Sequence, residues 1–230
     1  SGQGRLPKQI SIPQALRPIE PRDVSQAEEI EREAFPTSWP PTPFKRDLTS
    51  QLARCLVAWS PGIWYPGTSK SLDHSIQPQT RFQKLLHQVQ SFIYRRSGTS
   101  NQQSPELITG YVNILCIADE AHITGIAVRQ LYHRYGIGEL LMLGSLELAL
   151  SKHCRTAILE VRVSNTAAQA LYRKYGFHCR SIRKGYYSDN QEDAFVMTTD
   201  QLNTSVSRRR LWELTQAYVQ RYGEPQRFYY

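Results

Sequence analysis

The amino-acid sequence predicts an α+β protein built on one mixed sheet, and three features carry that prediction. Alternating runs such as LEVRV (159–163) have the two-residue period of strands with one buried face. Two further runs within 107–129 flank Asp119-Glu120 at the spacing of a hairpin. Other stretches repeat their apolar residues every three or four positions, so helices and strands interleave, and no internal repeat is present.

Taken in order, residues 1–15 read as an arm and Leu16–Ile19 as a first strand. A helix follows, with Asp23 as N-cap, Val24, Ala27, Ile30 and Ala34 on one stripe and carboxylates opposite. PTSWPPTPF (36–44) breaks it with prolines; a second short helix over about 43–51 leads to a strand at 54–59. Residues 60–105 are rich in Ser, Gln, Pro and Gly at both ends. Between those ends, Phe82, Leu85, Leu86, Val89, Phe92 and Ile93 recur at helical spacing, which predicts an insertion carrying one helix. That face packs on the domain in the ordinary reading and docks a partner in the other. After the hairpin, Gly136 and Gly138 open a helix, and the strand at 159–163 leads through Asn165 into another. Two strands surround a polar loop at 188–193, and a last helix spans about 205–221 with an aromatic end.

With 230 residues, 40% hydrophobic and 21% charged, the chain can hold a sizeable globular core. Its runs fall short of the ~20 apolar residues of a membrane span. The opening SGQGRLPKQISIPQ lacks the apolar core of a secretory signal; Ser1 in first place fits Met removal, a tag remnant or a cleaved transit peptide. Cys55, Cys116, Cys154 and Cys179 show no C-x-x-C and no zinc-like pairing with the six histidines. That usage points to a reducing cytoplasm and to no metal. A net charge of +8 favours an anionic partner, with nucleic acid, a ribosome surface and a phosphate-bearing cofactor as candidates beside a merely solvated surface. The basic residues cluster at Arg95-Arg96, at Arg180, Arg183 and Lys184, and at Arg208-Arg209-Arg210.

In HRYGIGELLM (133–142), glycines stand where a strand-to-helix turn would let backbone N–H groups approach an anion. The turn is neither a Walker A loop, lacking Gly-Lys-Ser/Thr, nor a dinucleotide fingerprint, since Leu141 stands at the third glycine's place. Together with LRPIEPRDVSQAEEIEREAFP, HITGIAVRQLYHRYGIGELLM, LEVRVSNTAAQALYRKYGF and RKGYYSDNQEDAFVM, it resembles the Gcn5-related N-acetyltransferase superfamily. The closer resemblance is to its ribosomal-protein-alanine N-acetyltransferase (RimI-type) branch, over roughly 16–59 and 105–200.

The resemblance implies a mostly antiparallel twisted sheet flanked by helices, with a domain at 16–200 and a basic, aromatic helical tail at 201–230. It implies acetyl-CoA as cosubstrate, its pyrophosphate held by Arg134, Tyr135, Gly136, Ile137 and Gly138 and its pantetheine arm along Ile126, Ala127 and Val128. One departure from the superfamily is His133, where Arg or Gln is usual. On spacing alone Glu160 would pair with Arg162 on the same strand face, Asn165 would cap a helix, and Tyr172 would pack in the core beside Ala168, Leu171 and Tyr175. The resemblance adds second roles: Glu160 as general base, Tyr172 as general acid, Asn165 as a pantetheine contact. It also makes Trp39, Tyr186 and Tyr187, as exposed loop aromatics, the walls of a peptide pocket.

A peptide α-amine (pKa ~7.7–8.0) is far easier to deprotonate than a lysine (~10.4), and Glu at ~4.3 suits either only if burial raises it or water relays the proton. The implied substrate is the N-terminal alanine of a ribosomal protein, the eighteenth of the small subunit, acetylated directly in a ternary complex by a monomeric enzyme. The basic tail would contact the ribosome. A broader N-terminal or lysine acetyltransferase, and a non-catalytic module that binds RNA or the ribosome, are the alternatives.

Overall fold

A computed structural model describes residues 15–35, 41–60 and 106–228. The amphipathic helix expected in the 60–105 insertion lies outside these residues, as does Trp39. The elements are β1 (Ala15–Pro18), α1 (Val24–Ala34), α2 (Phe44–Asp47), β2 (Ala53–Ser60), β3 (Leu107–Ile117), β4 (Glu120–Val128), α3 (Ile137–Ser151), β5 (Thr156–Arg162), α4 (Thr166–Lys174), β6 (Phe177–Tyr187), β7 (Glu192–Thr199), α5 (Ser205–Tyr222) and β8 (Gln226–Arg227). Short 3-10 turns occupy Pro21–Asp23 and Gln130–Tyr132. The predicted α+β mixed sheet is present, and its eight strands run in the order β6-β7-β5-β4-β3-β2-β1-β8.

Strand β3 lies inside the sheet, and its side chains from Ile108 to Ile114 are buried without alternation, as a strand covered on both faces requires. Gly110 stands where a Cβ would come within 2.8 Å of the Ala127 carbonyl and 3.1 Å of Ile137 and Leu141. Its missing side chain is what lets the start of α3 lie directly on the sheet. Helix α3 is apolar on nearly every side, with Ile137, Leu140–Leu143, Leu146, Leu148 and Ala149 all buried. Such a helix is stable only when covered all round.

The hairpin of β3 and β4 is antiparallel from Gly110–Val128 to Ile117–Glu120, and its register shifts at Asn113/Ile114, where Thr124 is an extra residue in β4. A bulge of this kind bends its strand. Strand β4 pairs with β5, in parallel, only from Glu120–Thr156 to Ile123–Leu159. Beyond Ile123 the two strands part.

Three details differ from the sequence reading. Ala15, assigned to the arm, opens β1. In α1, Val24, Ala27 and Ile30 face inward as expected, but Ala34 is exposed and Glu31 takes the next inward place. The Glu31 carboxylate accepts bonds from the Thr42 backbone (2.9 Å), the Thr42 hydroxyl and Tyr111 (3.2 Å), so it ties down the far end of the loop after α1. Asp23 precedes α1 but makes no capping bond to it. Its carboxylate instead receives Arg17 through two bonds (2.6 and 3.0 Å) and the Glu20 N–H (2.8 Å). Among the described residues no helix is long and apolar enough to cross a membrane.

Arg17 and Asp23 are 6% and 2% exposed, so removing Asp23 takes its nearest carboxylate from a buried guanidinium. Asp23→Ala is expected to lower stability by about 3–5 kcal/mol, measurable by urea unfolding.

Candidate acetyl-transfer site

The parting of β4 from β5 opens a groove of about 560 Å³. One wall is the last stretch of β4, Ile126, Ala127 and Val128; the other is Asn165, Ala167, Ala168, Leu171 and Tyr172 from the start and inner face of α4. Arg134, Gly136, Ile137 and Gly138 close one end, and Glu33, Ala34 and Phe35 from α1 and its exit form the rim. Among the described residues, the bend at Thr124 leaves this part of β4 with β3 on one side and no strand on the other. A peptide-like ligand could therefore pair there as an added strand would.

At the turn, Gly136 has φ +82° and Arg134 φ +70°. Two left-handed residues within three positions turn successive N–H groups toward one side, and Gly136 is the N-cap of the 15-residue α3. The exposed His133 ring lies 2.9 Å from the Val128 carbonyl, which fixes the turn to the strand end. Across the groove the Asn165 side chain accepts from Ala168 N at 3.1 Å and caps α4. That helix stops at Gly176, φ +94°.

Glu160 is on β5, with its side chain 7% exposed. Its Oε2 is 2.7 Å from His122 Nε2, and Arg183 of β6 approaches Oε1 to 2.8 Å without hydrogen-bond alignment. Burial pushes the Glu160 carboxyl up, but the His122 bond and charge and the Arg183 charge outweigh it and hold the group below its ordinary range. The Tyr172 phenol is pushed well above its ordinary range, chiefly by burial. Tyr187 stands close enough to Glu160 to feel its charge, and close enough to Tyr172 to help raise that phenol.

The acetyltransferase (GNAT) family model matches residues 24–177, well over half of the chain. The chain belongs to the GNAT family. A Bacillus subtilis (strain 168) protein described as a candidate ribosomal protein bS18-alanine N-acetyltransferase is 46% identical over 90 residues, 39% of this chain and 60% of that protein. The Escherichia coli (strain K12) ribosomal protein bS18-alanine N-acetyltransferase is 41% identical over 83 residues, 35% of this chain and 56% of that enzyme. The match thus spans a little over half the length of these relatives. Among solved structures, the Escherichia coli ribosomal-protein-S18-alanine N-acetyltransferase aligns with TM-score 0.55 at 23% identity, over 81% of this chain and 92% of the other. Arabidopsis thaliana NAA60 in complex with acetyl-CoA gives TM-score 0.56 at 17% identity, over 80% and 97%. At these identities the structures speak for the GNAT fold alone.

Within this GNAT domain the sequence-assigned residues of β4, the turn, Asn165 and Tyr172 line one groove, apart from the half-buried Tyr135. Glu160 does not line it; its carboxylate meets Arg183 and His122 instead. The Glu160–Arg162 pair does not form. Arg162 points at the 188–193 loop instead, bonding Asp189 (2.8 Å) and Glu192 (3.2 Å), with its guanidinium 3.8 Å from the centre of the Tyr187 ring. Tyr186 and Tyr187 are not exposed loop aromatics: both end β6, Tyr186 half-buried and Tyr187 buried at 8%. In α4, Ala168 and Leu171 are half-buried because they face the groove, while Gln169 is buried and bonds the Arg162 and Val163 carbonyls. His122 was missed. Its only signal was a polar place in β4 between the buried Ala121 and Ile123, and its meeting with Glu160 depends on a strand pairing that no local pattern encodes.

Because the folded-state carboxyl of Glu160 is depressed, its stabilising contribution is present above ~4.3 and lost as pH falls through the lower folded value. The stability difference between the wild type and Glu160→Gln is therefore expected to shrink between pH 6 and pH 3, followed by urea unfolding at each pH.

Proposed function

We propose that this chain transfers the acetyl group of acetyl-CoA to the N-terminal α-amine of a protein, with the N-terminal alanine of a small-subunit ribosomal protein as its substrate. The observation that carries this reading is the single groove that joins an unpaired stretch of β4, a left-handed glycine turn at a helix N-terminus and Tyr172. The features suit acetyl-CoA part by part. Phosphate oxygens find N–H groups at the turn, the amides of the pantetheine arm find the backbone of Ile126–Val128, and the arm then runs toward Tyr172. The names of the bacterial relatives support the alanine substrate.

Acetyl-CoA supplies the activated acyl group, and the chain supplies position and proton traffic. A carboxylate held below its ordinary range is a weak base for direct abstraction, so Glu160 acts through a relay. It holds a proton-carrying neighbour, His122 or a water, that takes the proton of the amine. Tyr172 stays protonated at working pH because burial raises it, so its O–H donates to the departing thiolate. Among the described residues that hydroxyl has no protein partner. In the tail, Arg210 is engaged by the carbonyls of Arg173 and Lys174 at 3.5 and 3.3 Å, so ribosome contact falls to the exposed Arg208 and Arg209.

A second reading, a broader N-terminal acetyltransferase, is favoured by a Saccharolobus solfataricus N-alpha-acetyltransferase that is 38% identical over 97 residues, 40% of this chain and 58% of that enzyme. Acetylation rates on peptides that differ only in residue one decide between them. Alanine is expected to be preferred over methionine by tenfold or more, in the order of one pocket's discrimination, with an internal lysine slower still. Equal rates would remove the narrow substrate. Glu160→Gln and Tyr172→Phe are each expected to lower kcat about 10²-fold or more in the same assay, and unchanged rates would remove the assigned roles.

A further inference from the structure

The GNAT family match ends at residue 177, yet the groove's phosphate-turn end includes two residues from far beyond it, Arg221 and Tyr222 at the end of α5. Their position is set by several independent anchors. Thr204 caps α5 through Ser207 N (3.1 Å), Tyr218 is 2% exposed, and Arg210 bonds the carbonyls that end α4. Past the helix, β8 pairs in parallel with β1, Arg227 meets Glu147 at 2.5 Å, and Phe228 N donates to the Leu16 carbonyl at 2.9 Å. The end of α5 is thereby held on the turn.

There the Tyr222 ring occupies the space into which a side chain at 136 would project: a Cβ on Gly136 would lie 2.7–2.8 Å from its carbons. Glycine at 136 therefore answers to two demands, the positive φ and the ring seated against it. Tyr222 stacks on Tyr218 (5.0 Å between centres), with the Arg221 guanidinium 5.3 Å from the Tyr222 ring centre. Burial and then the Glu139 carboxylate, which also bonds its hydroxyl, push the Tyr222 phenol up, while Arg221 and Arg134 act the other way. Neither arginine has a carboxylate partner among the described residues, although carboxylates are close by. Glu139 is taken by Lys174 and by the Tyr175 hydroxyl at 3.0 Å, and Glu33 by Arg129 at 3.1 Å. The groove thus ends in two guanidinium groups that are in no ion pair among the described residues, beside a helix N-terminus and with Glu139 and Glu33 also in its lining.

We propose that the C-terminal helix completes the acetyl-CoA site: Arg221, with Arg134, takes the phosphate charge of the CoA nucleotide, and Tyr222 is a positioning residue that holds the Gly136 turn. The proposal rests on the reading of the groove as an acetyl-CoA site. Arg221 is exposed and carries no fold-stabilising ion pair, so its replacement tests ligand binding rather than folding.

The test is titration calorimetry of the full chain with CoA and with dephospho-CoA, which lacks the 3′-phosphate. Arg221→Ala is expected to weaken CoA about five- to tenfold, with most of the affinity restored in Arg221→Lys. Lys152→Ala, which removes one positive charge just beyond the far end of α3 and outside the groove, is expected to change nothing. If Arg221 serves the 3′-phosphate, the wild type prefers CoA to dephospho-CoA and Arg221→Ala loses that preference; if it serves the diphosphate, both ligands weaken alike. Tyr222→Leu is expected to raise KM for acetyl-CoA with kcat little changed, and Tyr222→Phe to restore it. Wild-type CoA affinity in Arg221→Ala, or an equal loss in Lys152→Ala, overturns the role of Arg221, and an unchanged KM in Tyr222→Leu overturns that of Tyr222. A wild type that binds neither ligand overturns the acetyl-CoA reading of the groove itself.

Discussion

The parting of β4 and β5 is the constraint on which the rest of the structure depends. Two parallel strands that share four residue pairs would ordinarily continue together, since each backbone group left without a partner must find one elsewhere. The extra residue at Thr124 bends β4 away, and β5 keeps only β7 beside it from Glu160 onward. The wedge between them is filled at its edges by the starts of α3 and α4. The starts of both helices therefore border the same space, and the opening of the sheet is what makes room for the groove.

The same opening organises the charges. His122 stands on the last paired stretch of β4 and Glu160 just beyond the last paired residue of β5, so their contact bridges the point of divergence. Arg183 reaches Glu160 from β6, a sheet edge whose outward residues include Arg180 and Lys184. Charged side chains on such a strand discourage pairing with another chain. At the neighbouring end of the sheet, Arg162 is clamped between Asp189, Glu192 and the Tyr187 ring, which joins the 188–193 loop to β5. Arg183 thus leaves the basic cluster that Arg180 and Lys184 share with it in the sequence, and takes a partner on β5.

Local chemistry was legible from the sequence, and long-range pairing was not. The hairpin at Asp119-Glu120, the Asn165 cap and the glycine turn into α3 depend on neighbouring residues, so their spacing was enough to find them. The Glu160–Arg162 pair failed because alternation says which face a residue takes but not which strand lies alongside. His122 and Arg183 come from strands 38 and 23 positions away in sequence. Tyr187 was misjudged for a related reason: a tyrosine beside Gly185 reads as a loop residue until the β6–β7 register carries it into a paired strand. Asp23 had the right type and place for a cap, and the nearby Arg17 outbid the helix N–H groups because a buried guanidinium needs a carboxylate more than they do.

Helix α3 shows what this arrangement asks of synthesis. Its Leu-rich surface meets the sheet on one side, and Leu146 and Leu150 face Val206, Leu211 and Leu214 of α5 on another. A chain made from its N-terminus exposes α3 some 55 residues before that cover is translated, 151 to 205. At ordinary elongation rates of ~5–20 residues per second, a strongly apolar helix stays half-dressed for several seconds. Chaperone capture in that interval, and aggregation when translation stalls between α3 and α5, are properties written into the order of the helices rather than into any residue of the groove.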